Sequence, residues 1–119
     1  PNYQPTLSKI QLGKAKQFVK DLENYGYTPP ANIPITQEIL DFLILNGEVV
    51  KISNDIFYEK NTANELINGI KGLAYKDNEI TISSVRDKFG TSRKYTLAIL
   101  EYMDSKNITR RNGDLRYIR

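Results

Sequence analysis

The chain repeats itself. A step of 59 positions takes Leu43 to Tyr102, Ile44 to Met103, Val49 to Ile108, Asp55 to Asp114, Ile56 to Leu115 and Tyr58 to Tyr117 without a gap. In a chain of 119 residues, a repeat of that period calls for two tandem copies of one small unit. The boundary falls near Lys60-Asn61. Residues 1–60 and 61–119 are therefore the two expected domains, joined by so short a linker that their relation should be close to fixed.

Local signals give each copy its grammar. Pro1 to Thr6 is polar and reads as the cut end of something longer. From Leu7 to Tyr25 the apolar residues Ile10, Phe18, Leu22 and Tyr25 recur at helical spacing, and Gly26 follows as a stop. Thr28-Pro29-Pro30-Ala31-Asn32 is a loop. Thr36 is placed to cap a second helix that ends at Asn46-Gly47, with Ile35 and Leu40 as a hydrophobic staple. Short strands are expected at Val49–Ile52 and Ile56–Tyr58. In the second copy Thr62 and Glu65 suggest a capping box, and Ile80-Thr81-Ile82 a short strand. Ser83 or Ser84 would cap a brief helix ending at Phe89-Gly90, and Thr91 or Ser92 the next. Ile108–Arg111 and Leu115–Ile118 flank Asn112-Gly113, a strong hairpin signal. Helix, strand, helix, helix, hairpin is the order of a winged helix. The expected fold is mainly α with small β-hairpins (α+β), as two tandem winged-helix domains.

Charge separates the copies. Residues 1–61 hold six Lys/Arg against seven Asp/Glu, a net −1, and residues 62–119 hold eleven against seven, a net +4. Under the same 59-residue step Pro34 becomes Arg93, Ile35 becomes Lys94, Ile52 becomes Arg111 and Phe57 becomes Arg116. Cations thus replace apolar residues or proline at the start of the last helix and in its wing. Arg93 and Lys94 sit in a helical first turn, where the backbone already carries partial positive charge. Such a break in local preference marks a functional site, and a phosphate is the natural occupant. Leu97, Leu100 and Met103 are core. Tyr95 suits either base stacking or sealing the core edge. Arg86 and Lys88 read as solvated, with a long-range attraction at most.

Other functions are excluded by what the composition lacks. There is no cysteine and no histidine, which removes disulfides, thiolate chemistry and the commonest general base and metal ligand. No phosphate-cradling or dinucleotide glycine loop is present. No apolar run nears the roughly 20 residues that span a membrane, and no secretory leader is visible. An enzyme, a cofactor site and a metal site are not expected. A regulator that reads duplex DNA is the alternative, yet the last helix beyond Tyr95 offers Glu101 and Asp104 and no Arg, Lys, Asn or Gln until Lys106. Cations at a helix tip and wing suit a protruding RNA loop better than a major groove. A third option is a protein-binding spacer, through the slightly acidic first copy.

Residues 84–119 closely resemble the C-terminal winged helix of the bacterial selenocysteine-specific elongation factors, the SelB family. The likeness lies in Arg86-Asp87, the turn Gly90-Thr91-Ser92-Arg93-Lys94-Tyr95, Leu100-Glu101-Tyr102, Thr109-Arg110-Arg111, Gly113-Asp114 and Arg116. Residues 1–83 resemble the family in layout, so the chain looks like the last two of its four tandem winged helices. Ala98 stands where a typical member has proline, which bears on the orientation of the helix tip. The resemblance implies binding of an mRNA hairpin, the selenocysteine insertion element beside an in-frame UGA codon. It implies Arg93 and Lys94 as tip contacts, Arg110, Arg111 and Arg116 as wing contacts, and Ser92 and Tyr95 as secondary ones. It further implies a cytoplasmic monomer that contacts no membrane. The GTPase part of the full factor, elsewhere, carries selenocysteyl-tRNA, and the ribosome is a partner of that full factor.

Overall fold

The computed structural model describes residues 6–119, so all of the polar leader but Thr6 lies outside the described residues. Nine elements follow in order: α1 (Lys9–Tyr25), α2 (Gln37–Leu45), β1 (Val49–Lys51), β2 (Phe57–Glu59), α3 (Lys60–Asp77), α4 (Ile82–Phe89), α5 (Arg93–Ser105), β3 (Thr109–Asn112) and β4 (Leu115–Ile118). Among the described residues the strands pair as two antiparallel hairpins, β1 with β2 and β3 with β4. The second half is a complete winged helix. The first half lacks a counterpart of α4: between α1 and α2 the chain passes through Pro29-Pro30 and Pro34 without forming a helix.

Several starts differ from expectation. Helix α3 opens at Lys60, and its cap is Glu59, whose carboxylate accepts from the Asn61 and Thr62 amides. The Thr62/Glu65 box does not form. A carboxylate at the cap of a helix also complements its dipole, so the earlier start wins. Helix α4 is capped by Thr81, with Ser84 completing the reciprocal pair. Ile80 makes a single bridge to Arg116 in place of a strand. Thr36 and Ser92 stand at cap positions without a side-chain bond. In α1, Phe18 and Leu22 are buried, while Ile10 and Tyr25 face solvent. The second wing turns through Gly113-Asp114, since Asn112 pairs with Leu115. Gly113 alone there has positive φ, 65°, the pattern of a turn with glycine at its first central position.

The repeat itself has two registers. Ile39, Leu40 and Leu43 of α2 occupy the buried positions that Ile99, Leu100 and Met103 hold in α5, a step of 60. Gly47 and Asn107, both at positive φ just past those helices, keep that step, as do buried Val49 and Thr109 at the start of the wings. From β2 to β4 the step is 59, because the second wing turn is one residue shorter. The register matters for charge. Arg111 then corresponds to Lys51, so its cation is common to both copies. Arg93, Lys94 and Tyr95 correspond to Ile33, Pro34 and Ile35, which precede α2. The basic tip is one additional helical turn on α5.

Two cores stack along the chain. Leu7, Phe18, Leu22, Ile39, Leu40, Leu43 and Val49 build the first. Leu66, Ile70, Ile80, Val85, Ile99, Leu100 and Met103 build the second. The β1–β2 hairpin lies between them: Val49 belongs to the first core, and Ile52, Ile56 and Tyr58 to the second. Burying both faces of one hairpin ties the halves together through apolar area, at roughly 25 cal/mol per Å². With β2 ending at Glu59 and α3 beginning at Lys60, no loose segment separates them.

Candidate nucleic-acid interface

The tip is built by Gly90, whose positive φ (61°) lets α4 end and the chain turn into α5. Ser92, Arg93 and Lys94 are exposed there. Ser92 makes no capping bond, so the first amides of α5 lack the side-chain acceptor that helix starts usually have. Lys94 Nζ lies 5.6 Å from the Tyr95 ring centre, and 3.9 Å from Asp55 Oδ2 in the first wing. Arg93 forms no ion pair among the described residues. In the second wing Arg110 is exposed and stacks its guanidinium 5.6 Å from the Tyr117 ring. Exposed Arg111 donates from Nε to the Gly113 carbonyl at 2.8 Å, which holds it at the wing turn.

Arg116 does not join them. Its side chain is 2% exposed, and Nε donates to Asp104 Oδ2 at 3.0 Å. Asp104 also accepts from the Thr109 hydroxyl at 2.6 Å. The arginine expected in the wing's grip is an internal strut between β4 and α5. Its Nη2 is buried without a partner. Asp104, which the sequence marked as an obstacle to phosphate, holds that strut in place. A paired signal was present in the chain: Ile44 and Phe57 hold these two positions in the first copy, both half-buried against its core.

Tyr95 is also committed. Its hydroxyl donates to the Pro29 carbonyl at 2.7 Å, and its ring packs half-buried on the second core. Tyr27 reinforces the same junction: its ring meets Phe89 edge-on at 5.1 Å, and its carbonyl accepts from the Tyr58 hydroxyl at 2.8 Å. Burial, seconded by Tyr95, pushes the Tyr58 hydroxyl pKa above its ordinary 10.0. Asp55 and Pro29 are contributors to the tip that sequence reading missed. They lie far from α5 in sequence, and only the packing of the first wing brings them there.

The candidate interface is thus four exposed cations, Arg93 and Lys94 at the tip of α5 and Arg110 and Arg111 in the second wing, with Ser92 beside the first pair. Among the described residues there is no cluster of three or more His, Cys, Asp or Glu side chains placed to hold a metal ion, and no helix is long and apolar enough to cross a membrane. A family model described as "Elongation factor SelB, winged helix" matches residues 73–118. Across its full length the chain is 30% identical to the selenocysteine-specific elongation factor of Desulfomicrobium baculatum. The chain belongs with the C-terminal winged-helix region of the SelB family.

A second relative, the selenocysteine-specific elongation factor of Escherichia coli, is 32% identical over 57% of this chain. The chain spans 20% of the length of the first relative and 11% of the second. Among solved structures, the mRNA-binding domain of E. coli SelB in complex with SECIS RNA superposes with a TM-score of 0.72 at 26% identity. That match covers 95% of this chain and 99% of the other. A bacterial selenocysteine-specific factor, EF-Sec, superposes with a TM-score of 0.74 over 94% of this chain and 20% of its own, at 23% identity, which speaks for the fold alone.

Proposed function

We infer that this SelB-type chain binds an mRNA hairpin of the selenocysteine insertion kind, and so serves a full-length factor that recodes UGA in the cytoplasm. The observation that carries this reading is the additional basic turn of α5. Arg93 and Lys94 stand exposed where the first copy has Ile33 and Pro34, and the solved SelB domain that resembles this chain is bound to SECIS RNA. Residues 61–119 bind the hairpin: the tip approaches its loop and backbone, and Arg110 and Arg111 hold it from the side. Residues 1–60 position that site. The chain acts as a monomer, catalyses nothing itself, and leaves nucleotide hydrolysis and ribosome contact to the rest of the factor. Helix α5 gives little to a DNA groove, since Glu101 is exposed along it and Asp104 is engaged with Arg116.

A fluorescence-anisotropy titration of the 119-residue chain with a selenoprotein mRNA hairpin and with a scrambled duplex of equal length tests the reading. Tighter binding of the hairpin is expected. Arg93→Glu and Lys94→Glu should each weaken it more than Lys9→Glu or Lys14→Glu, and lower the salt slope by about 0.7–0.9 per lost phosphate contact. Equal affinity for both RNAs, or a preference for duplex DNA, would overturn it.

A further inference from the structure

We propose that Asp55, supplied by the first copy's wing, is a specificity-determining residue of the hairpin site in the second copy. The inference rests on the RNA-binding reading above and assigns within it a role to a residue of the other half.

Asp55 is held at the tip by construction. It sits in the turn between β1 and β2, and its neighbour Ile56 is buried in the second core, as is Ile52 on the other side of the turn. The Ile52 and Ser53 amides both donate to the Ile56 carbonyl, at 2.9 and 3.2 Å, closing the turn around the aspartate. The Ser53 hydroxyl donates to Oδ1 at 3.2 Å, which leaves Oδ2 facing Lys94 Nζ at 3.9 Å. Both side chains remain about half exposed, at 54% for the lysine and 56% for the aspartate. A carboxylate is therefore fixed beside the lysine of a phosphate-binding tip, while Arg93 next to it has no such companion among the described residues.

A fixed negative charge at a polyanion site works by difference. It repels any phosphate that approaches from its side, and it lowers the tip's attraction for nucleic acid of no particular shape. The same Oδ2 can accept a hydrogen bond from a base amino or imino group, which only an unpaired loop base can offer at a helix tip. A regular duplex presents phosphate there and is disfavoured; an open loop presents base N–H and is tolerated. Asp55 thereby converts a general anion site into one that favours loops. The ion pair with Lys94 also holds the ammonium in one orientation, although as an exposed pair it adds little to folding stability.

Asp55→Asn keeps shape and removes charge, and its side chain is exposed enough that the fold should stand. Asp41→Asn, on the exposed face of α2, is the charge-matched control. Titrations of the 119-residue chain with the hairpin and the scrambled duplex, each at several salt concentrations, supply the readout. Asp55→Asn should tighten duplex binding by about three- to five-fold and steepen its salt dependence, with hairpin affinity unchanged or lower. The ratio of the two affinities then falls at least about three-fold, while Asp41→Asn moves it by less than about two-fold and Asp55→Glu restores it. A ratio unchanged by Asp55→Asn, or a parallel change for both RNAs, overturns the proposal. If the unsubstituted chain does not prefer the hairpin at all, the RNA-binding reading fails. A preference that is undiminished in Asp55→Asn defeats only the role of Asp55.

Discussion

The internal pair of Arg116 and Asp104 offers the sharpest separation between a binding residue and a structural one. Arg116 is 2% exposed and Asp104 25%, so the two partners are not equivalent when one is removed. Asp104→Ala leaves a guanidinium buried with neither its ion pair nor, at Nη2, any other partner. An uncompensated buried charge of that kind costs about 3–5 kcal/mol. Arg116→Met leaves Asp104 with its Thr109 bond and access to water, while the methionine fills much of the volume of the arginine stem. Its cost should be about 1 kcal/mol. The first copy already shows the apolar solution, with Ile44 and Phe57 at the same two places. The double change Asp104→Ile with Arg116→Phe should therefore recover most of the stability lost by Asp104→Ala, since well-packed apolar residues commonly match a buried pair.

Urea unfolding followed by circular dichroism reads these differences directly. With a slope of about 2 kcal/mol per molar, a 4 kcal/mol loss moves the midpoint by about 2 M. Asp104→Ala should show that shift and Arg116→Met about a quarter of it. Hairpin affinity of Arg116→Met should stay within about two-fold of the parent, because a residue inside the wing releases no counterion when RNA arrives. A loss of ten-fold or more in affinity at unchanged stability would refute the reasoning and return Arg116 to the binding surface.

Three further outcomes follow from the packing. Gly69→Ala should destabilise by about 1–3 kcal/mol despite alanine's better helix propensity: a Cβ there runs into Phe89 Cζ, whose ring is already set against Tyr27, and thermal unfolding would report it. Tyr95→Phe keeps the ring face a base could stack on but deletes the bond to Pro29, so chemical denaturation should show a loss of about 1 kcal/mol; unchanged stability would mean the hydroxyl is not an anchor. The raised Tyr58 pKa fixes a pH dependence. A folded value above the unfolded one means the neutral form is the stabilising one, so its contribution is complete below 10.0 and is lost as pH rises beyond it. With no histidine to titrate, the unfolding midpoint should be flat near neutrality and fall above about pH 10, and Tyr58→Phe should remove part of that alkaline fall.

How much of this was legible in sequence depends on the range of the interaction responsible. Helices α1, α2 and α5, the second wing and the exposure of Arg93 and Lys94 all follow from periodicity and turn chemistry within a few residues. The cap of α3 was misread because Thr62 and Glu65 match a local pattern while Glu59, buried as the last residue of a strand, matches another that wins once β2 is in place. The repeat is legible in the chain, but a single step of 59 does not hold along all of it. The lost residue in the second wing turn is invisible until strands are paired, and it moved Arg111 from a contrast with Ile52 to a likeness with Lys51.

Arg116 shows why the remainder was hidden. In sequence, an arginine replacing a phenylalanine looks like gained surface charge. In the fold it is half of an exchange, since Asp104 replaces Ile44 on the helix beneath it, and the charge goes inward. The two changes are meaningful only together, and their separation in the chain conceals that. The same holds for Tyr95 with Pro29 and for Lys94 with Asp55, where the first copy reaches the tip through a hairpin buried on both faces. Local chemistry in the sequence locates the cations that can meet RNA. Which of them remain free to do so is decided by partners that only packing supplies.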